Sequence, residues 1–560
     1  MNFLKNNKYS DIYEILCIII VFGFLSVFFS GHYQSIFTDM GREMIIPEGI
    51  LHGKVLYKDI LCIYSPLAYL INALGFKLFG VNISVLTSFG IINSCIFTVF
   101  FYLISKEFFT KRFSALLTLT ITLSCVLGSG LFNFVFPYSY SMTYGLTGYI
   151  ISVYLAVLYL KTDNAKFITA AFLISGYSFV CKSEFLPLII ILFCVTLFVK
   201  PRSVRENLLN LSAFLTIPVI TLLILFYQGL TLNELLSAAH FMKVFFTTPS
   251  MIFHITRSGG LFGIQTISLY KTAVPYIITV LLFIYAFGFV TKKFRPFLYI
   301  APVLLVFVFN KTILTFHFMF LPIILALLLI IKAKTFIRKP ELALITASSL
   351  GVAIRTFWAF QISVYGNFAL PLLLIALFAI LKEFSPVIKP FDKEDMKTVY
   401  KMTIYGYCLY FAIFNITNFY KYNSEIKTEK GTIYTTKDHS KINNTIIEYL
   451  KKYTAPKDKV LILPEGTAIN FLADRPVDLR MHMADRLYYD ALGDEKVLQN
   501  IREADYEVIV FLEGFDLTKF GKPYLYDENN PVVKYVKENY ILYMQINDLK
   551  GKVYLYQKPD

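Results

Sequence analysis

From about Tyr13 to residue 420 the chain repeats one pattern, an apolar run of roughly 14 to 24 residues followed by a short connection. A bilayer core of roughly 30 Å takes about 20 such residues as a helix, because no water is there to bond free backbone groups. Few folds accept a chain built this way. It is expected to be an α-helical polytopic membrane protein with about thirteen spans, near residues 13–30, 81–104, 113–129, 146–160, 167–181, 185–199, 209–228, 272–290, 297–310, 313–331, 341–360, 368–381 and 400–419.

Composition agrees, with 56% of residues hydrophobic. The excess of 53 Lys and Arg over 38 Asp and Glu, a net charge of +15, would suit a nucleic-acid binder if it were clustered in a polar domain. It is distributed otherwise. Every second connection is short and basic: Lys106, Lys111 and Arg112; Lys161 and Lys166; Lys200, Arg202 and Arg205; Lys292, Lys293 and Arg295; Lys332, Lys334, Arg338 and Lys339; Lys382, Lys389, Lys393 and Lys397. That is the positive-inside pattern, and no nucleic-acid partner is expected.

Lys5 and Lys8 precede the first run, which has no small-residue cleavage site, so an uncleaved first span with a cytoplasmic N-terminus is expected. The odd span count then places the segments 31–80, 130–145, 182–184, 229–271, 310–312 and 361–367, and everything after about 420, on the outer face, in a bacterial plasma (inner) membrane. Pro66 to Phe79 is too short to span, is interrupted by Gly75, and reads as an interfacial helix.

After about Tyr420 charged residues become frequent and apolar runs shrink to strand length. A multi-span domain over 1–420 and an extracytoplasmic α/β domain over 421–560 are expected, with helices near 442–452 and 532–539 and strands near 459–464, 506–512, 541–546 and 552–556. The seven cysteines lie mostly inside apolar runs without a CxxC and read as small buried hydrophobes.

The stretch 37–72 is the exception to the pattern, carrying Asp39, Arg42, Glu43, Glu48, Lys54, Lys58 and Asp59 beside a span. On a helix Asp39 faces Arg42 at i+3 and Glu43 at i+4, which is either a solvated helix end or a general base held by a guanidinium. Lys182, Glu184, Lys311 and Arg355 fall at outer ends of spans; each is either an interfacial charge or a cavity-facing one. Arg42, Lys54, Lys58, Lys182, Arg257 and Arg355 share the outer face in this topology, and converging cations would stabilise a phosphate leaving group. His52, His240, His254 and His317 form no metal-binding spacing, and a divalent metal held by Asp39 or Glu43 is the one cofactor left open. No P-loop, dinucleotide fingerprint or GxSxG is present.

The run GREM, HGKVLYKD and YSPLAYLINAL after Asp39 resembles the first outer loop of the GT-C glycosyltransferases, in particular the protein O-mannosyltransferase and lipid A aminoarabinose transferase group (family 39-like). KSE before a proline-led span, the arginine at 355 followed by YGNFALP, and LPEGTAINFLADRP also resemble bacterial members. The resemblance implies a glycosyltransferase that moves a sugar from a polyprenyl-phosphate donor, with inversion, to a hydroxyl of a lipid, glycan or protein acceptor at the outer face. It implies Asp39 as catalytic carboxylate, Glu43 as second candidate, and Lys58 as a donor-phosphate contact; the shared outer face adds Arg42, Lys182 and Arg355 as phosphate-binding candidates. The lysine-proline-proline run of the aminoarabinose transferases is absent, since Asp59 follows Lys58. Lys54, Tyr64, Glu184 and Arg257 complete the candidate cavity. The rival readings are a multi-span transporter or lipid flippase, which needs charges near the midplane, and a non-catalytic scaffold, which does not need Asp39, Glu43 and Arg355 to converge.

Overall fold

The structure, a computed structural model, describes residues 8–29, 31–32, 39–128, 132–257, 266–354, 366–384, 391–483, 486–513, 530–548 and 551–559; within these, 8–11, 254–257, 266–272, 311–319, 393, 486, 548 and 551 are described for backbone only. The apolar runs are helices. The first is α1 (Lys8–Phe29), and the charged stretch after it holds α2 (Met40–Leu51) and α3 (Leu67–Phe79). Then follow α4 (Ile83–Phe108), α5 (Lys111–Ile121), α6 (Tyr140–Thr162), α7 (Ala165–Cys181), α8 (Pro187–Cys194), α9 (Val204–Tyr227), α10 (Leu232–Thr247), α11 (Pro249–Arg257) and α12 (Thr266–Phe289). The short α13 (Arg295–Leu298) leads into α14 (Ala301–Ile331), α15 (Ala333–Arg338), α16 (Pro340–Val352), α17 (Gly366–Phe384) and the long α18 (Lys393–Lys421).

Five helices among the described residues are long and apolar enough to cross a membrane, and shorter apolar helices pack among them. The protein is an integral membrane protein of helical type. Its basic connections lie on one face, tied together by contacts. Glu14 meets Lys106 at 3.2 Å and Lys111 at 2.5 Å, Glu107 meets Lys161 at 2.6 Å, and Asp163 meets Arg202 at 2.7 Å. Lys382 donates to the Phe108 carbonyl at 2.6 Å, Lys339 pairs with Glu383, and Arg295 pairs with Asp395. The expected break at Asn310 corresponds to a departure from helical geometry at Phe309 inside α14 (φ −114°, ψ 22°). Both flanks of α14 meet the basic face, through Arg295 on one side and Lys339 on the other, so the run returns to the face it left.

One expectation needs correcting. Gly75 does not interrupt α3; the helix runs through it, and the missing side chain lets Phe89 approach, since a Cβ there would lie 2.9 Å from the Phe89 ring.

After α18 come the antiparallel hairpin β1 (Ser424–Thr428) and β2 (Gly431–Thr435), then α19 (Lys437–Tyr453), β3 (Val460–Leu463), α20 (Thr467–Ala473), α21 (Arg486–Leu492), α22 (Asp494–Ala504), β4 (Val508–Glu513), α23 (Pro531–Asn539), β5 (Ile541–Asp548) and β6 (Gly551–Gln557). The four-stranded sheet has the order β3-β4-β6-β5, with β3 parallel to β4 and the remaining pairs antiparallel. VLIL of β3, at the edge of the sheet beside β4, is nevertheless buried at every residue, so both of its faces are covered. Ile442, Ile446 and Leu450 of α19 repeat at i, i+4 and i+8 and are buried, giving that helix its apolar stripe.

This α/β region docks on the opposite face, largely on the charged stretch. Gly41 is the tightest point, because a Cβ there would lie 2.1 Å from the Ala468 backbone nitrogen. Leu61 N–H donates to the Leu479 carbonyl at 3.0 Å, Lys430 bridges Glu48 and Asp474, and Phe76 stacks on Phe471 at 6.1 Å. The hairpin closes the other side: Tyr434 N–H donates to the Gly31 carbonyl at 3.0 Å and its ring stacks on His32 at 4.7 Å.

Candidate active site

Asp39 sits just before the first turn of α2 with φ 60° and ψ −36°. Positive φ is uncommon for a residue with a Cβ, and Asp is among the few types that tolerate it. The turn it makes leaves the i to i+3 relation intact, so Arg42 Nη1 donates to Asp39 Oδ1 at 2.9 Å.

Arg42 is the hub. It is 1% exposed and donates four hydrogen bonds: to Asp39, to the Glu43 carboxylate from Nε at 3.2 Å, to the Tyr64 hydroxyl at 3.1 Å and to the Tyr138 carbonyl at 2.9 Å. The Tyr64 ring lies 4.1 Å from the guanidinium carbon, adding a cation–π contact. A buried charge costs several kcal/mol unless paired and hydrogen-bonded, and this one is both.

Glu43 is fully enclosed. Its Oε1 also accepts from the Tyr69 hydroxyl at 3.0 Å, and its Oε2 accepts from the Tyr140 backbone N–H at 3.0 Å. Burial pushes its carboxyl above the usual carboxylate range, while Arg42 and those two donors pull the other way. Asp39 differs: its side chain is 28% exposed and only Oδ1 is held by Arg42 among the described residues. Of the two candidate carboxylates, Asp39 is therefore the accessible one.

Tyr138 links this hub to a second charged pair. Its hydroxyl accepts from the buried Lys182 Nζ at 3.3 Å, and Lys182 lies 3.5 Å from Glu184. The expected residues Asp39, Arg42, Glu43, Tyr64, Lys182 and Glu184 thus come together, from α2, the loop before α3, and the turn between α7 and α8. Arg42 was expected among the phosphate contacts; four of its five N–H groups go to two carboxylates, a hydroxyl and a carbonyl.

Lys58 and Lys54 stand apart. The exposed Lys58 donates to the Gly229 carbonyl at 3.1 Å and lies 3.7 Å from Glu234. Lys54 lines a cleft of about 610 Å³ between α2 and the α/β region, with Glu48, His52, Asp59 and Lys430. Arg355 lies outside the described residues, as do the side chains of Arg257, Lys311, His254 and His317; convergence is seen for Asp39 and Glu43. Among the described residues no group of three or more His, Cys, Asp or Glu is placed to hold a metal ion.

Several neighbours had no signal of their own in the sequence. Tyr69, Tyr138 and Tyr140 look like ordinary aromatic residues of a membrane chain. Glu465 lies in the LPEGTAINFLADRP motif, yet nothing local indicates that its carboxylate accepts from the Asp39 backbone N–H, 426 residues away. His482 is buried beside the same loop, with Nδ1 2.9 Å from the Leu479 carbonyl. Burial lowers its pKa to about 4, with the Arg42 charge acting in the same direction against that carbonyl.

Among solved structures the chain is similar to ArnT from Cupriavidus metallidurans bound to undecaprenyl phosphate, with a TM-score of 0.53 and 11% identity over 97% of each chain. The apo state of the same enzyme gives a TM-score of 0.53 at 10% identity over 97% of each chain. The archaeal oligosaccharyltransferase AglB from Archaeoglobus fulgidus, in complex with an inhibitory peptide and a dolichol-phosphate, gives 0.48 at 11% identity over 97% of this chain and 74% of that one. No protein-family description and no curated protein sequence matches the chain. At such identities the likeness is one of fold.

Proposed function

We propose that this chain, built on the GT-C fold over nearly its whole length, is a glycosyltransferase that moves a sugar from a polyprenyl-phosphate donor to a hydroxyl of a lipid, glycan or protein acceptor. The observation that carries the reading is Asp39, an accessible carboxylate held by a buried arginine in a fold shared with ArnT, which was crystallised with undecaprenyl phosphate. The multi-span region over 1–420 would embed the donor lipid. The α/β region over 421–560 would lie outside the plasma membrane, and the N-terminus inside.

In this reading Asp39 takes the proton of the acceptor hydroxyl as that oxygen attacks the anomeric carbon in line. The bond from the anomeric carbon to phosphate breaks, polyprenyl phosphate leaves, and the configuration inverts. Such a base typically contributes roughly 10²- to 10⁴-fold in rate. Arg42 orients Asp39, and Glu43 anchors Arg42 from its buried side. Lys182, linked to this hub through Tyr138, would meet the departing phosphate, with Arg355 and Lys58 as further candidates. Of the two carboxylates named for a divalent ion, Asp39 is the one with an oxygen to offer.

The test is an assay in membranes with a panel of polyprenyl-phosphate sugars, following release of polyprenyl phosphate. Release by the wild-type chain and its loss in a folded Asp39→Asn variant are expected. Undiminished turnover in that variant would remove Asp39 as the base.

A further inference from the structure

The α/β region reaches into the hub. Asp39 holds a backbone conformation that is sparsely populated for any residue with a Cβ (φ 60°, ψ −36°), and such conformations persist where the surroundings over-determine them. Two groups hold it, one at the side chain and one at the backbone. Arg42 binds its carboxylate, and Glu465 accepts from its backbone N–H.

Glu465 is itself placed by tight packing. It stands between β3 and α20, and the following Gly466 has no room for a side chain, since a Cβ there would lie 2.3 Å from Ile462 Cγ2. At the start of α20, Thr467 and Ala468 press against Gly41, two residues after Asp39, where a Cβ would lie 2.1 Å from the Ala468 nitrogen. The loop carrying Glu465 therefore meets α2 in one arrangement.

We propose that Glu465 is a positioning residue that fixes the Asp39 backbone, so that the aspartate points its carboxylate productively only when the α/β region is docked. The proposal rests on the transferase reading above. It makes a specific demand on chemistry: an acceptor oxygen is needed at 465, and a negative charge is not.

Glu465→Gln keeps a carbonyl oxygen at the same reach, whereas Glu465→Ala removes it. With the full chain in detergent or nanodiscs and a polyprenyl-phosphate sugar that the wild type consumes, Glu465→Ala is expected to lower kcat by about 10²-fold with an unchanged donor KM. Glu465→Gln is expected to stay within about threefold of wild type with the same pH profile. Amide hydrogen exchange at Asp39 should quicken in Glu465→Ala and stay slow in Glu465→Gln. Wild-type kcat in Glu465→Ala would overturn the proposal, as would Glu465→Gln being as inactive as Glu465→Ala, which would make the carboxylate itself part of the chemistry. If the wild type releases no polyprenyl phosphate from any donor, the transferase reading has failed; the exchange measurement still decides whether Glu465 holds Asp39.

Discussion

The two ends of α2 carry the same kinds of side chain and treat them differently. At its start, Asp39, Arg42 and Glu43 form a network with tyrosines from other elements, and Arg42 and Glu43 are buried. Past its end, Lys54 and Lys58 are exposed, and Lys58 makes a long ion pair of 3.7 Å with a partly exposed Glu234. Charge density in a sequence is the same signal in both places. What separates a built site from a solvated rim is the number of partners that reach each charge from distant parts of the chain.

That contrast can be broken by mutation, beginning with its strongest term. Asp39→Asn should cut transfer by roughly 10²- to 10⁴-fold while leaving the thermal midpoint in detergent nearly unchanged. Arg42→Ala should also abolish transfer, and in addition cost roughly 3–5 kcal/mol of stability, because it strands Glu43 without its counter-charge. A thermal midpoint equal to wild type would mean that the network is not what organises this end of the loop.

His482 sharpens the comparison through pH. The unfolded chain accepts a proton on histidine near 6.5, whereas the folded site resists it down to about 4. Stability is then full above pH 6.5 and falls as pH drops toward 4, by roughly 3 kcal/mol. Denaturant midpoints across that range should show the slope, and His482→Phe should flatten it.

Gly41→Ala tests the seam between α2 and α20. Overpacking there should cost about 1–3 kcal/mol and raise the rate at which protease cuts the α/β region from the membrane region. Lys58→Ala is the smallest effect expected, below about 1 kcal/mol in stability, as for other exposed pairs. A large rise in donor KM in that variant would instead carry Lys58 from the rim into the site.

Much of this organisation is legible in the sequence where the physics is local. Bilayer-length apolar runs and alternating basic connections mark the helices and the face those connections share, now traced through Glu14, Glu107 and Asp163. The i to i+3 spacing foretells the Asp39–Arg42 bond. VLIL and VIVFL announce buried strands. The hairpin SEIKT/GTIYT escapes notice because its residues are half polar and its buried positions, such as Ile426 and Ile433, are few. Gly75 misleads because a glycine that admits a phenylalanine ring looks the same as one that ends a helix. Spacing alone could not tell Glu43 from Asp39, which only the family resemblance ranked, since the burial of Glu43 depends on Tyr69 and on the Tyr140 backbone.

The bond between Glu465 and Asp39 also sets a clock. Its acceptor is made 426 residues after its donor, and at about 5–20 residues per second a ribosome needs roughly 20–90 s to cover that distance. Throughout that interval Arg42 is already made and can reach the aspartate's carboxylate, but the acceptor for its backbone N–H does not yet exist. A chain released early, before the α/β region is complete, would carry all of α1 to α18 and still lack the contact that fixes Asp39. In the same way that a keystone is set after the arch, this protein finishes its centre with nearly the last sixth of its length still to come.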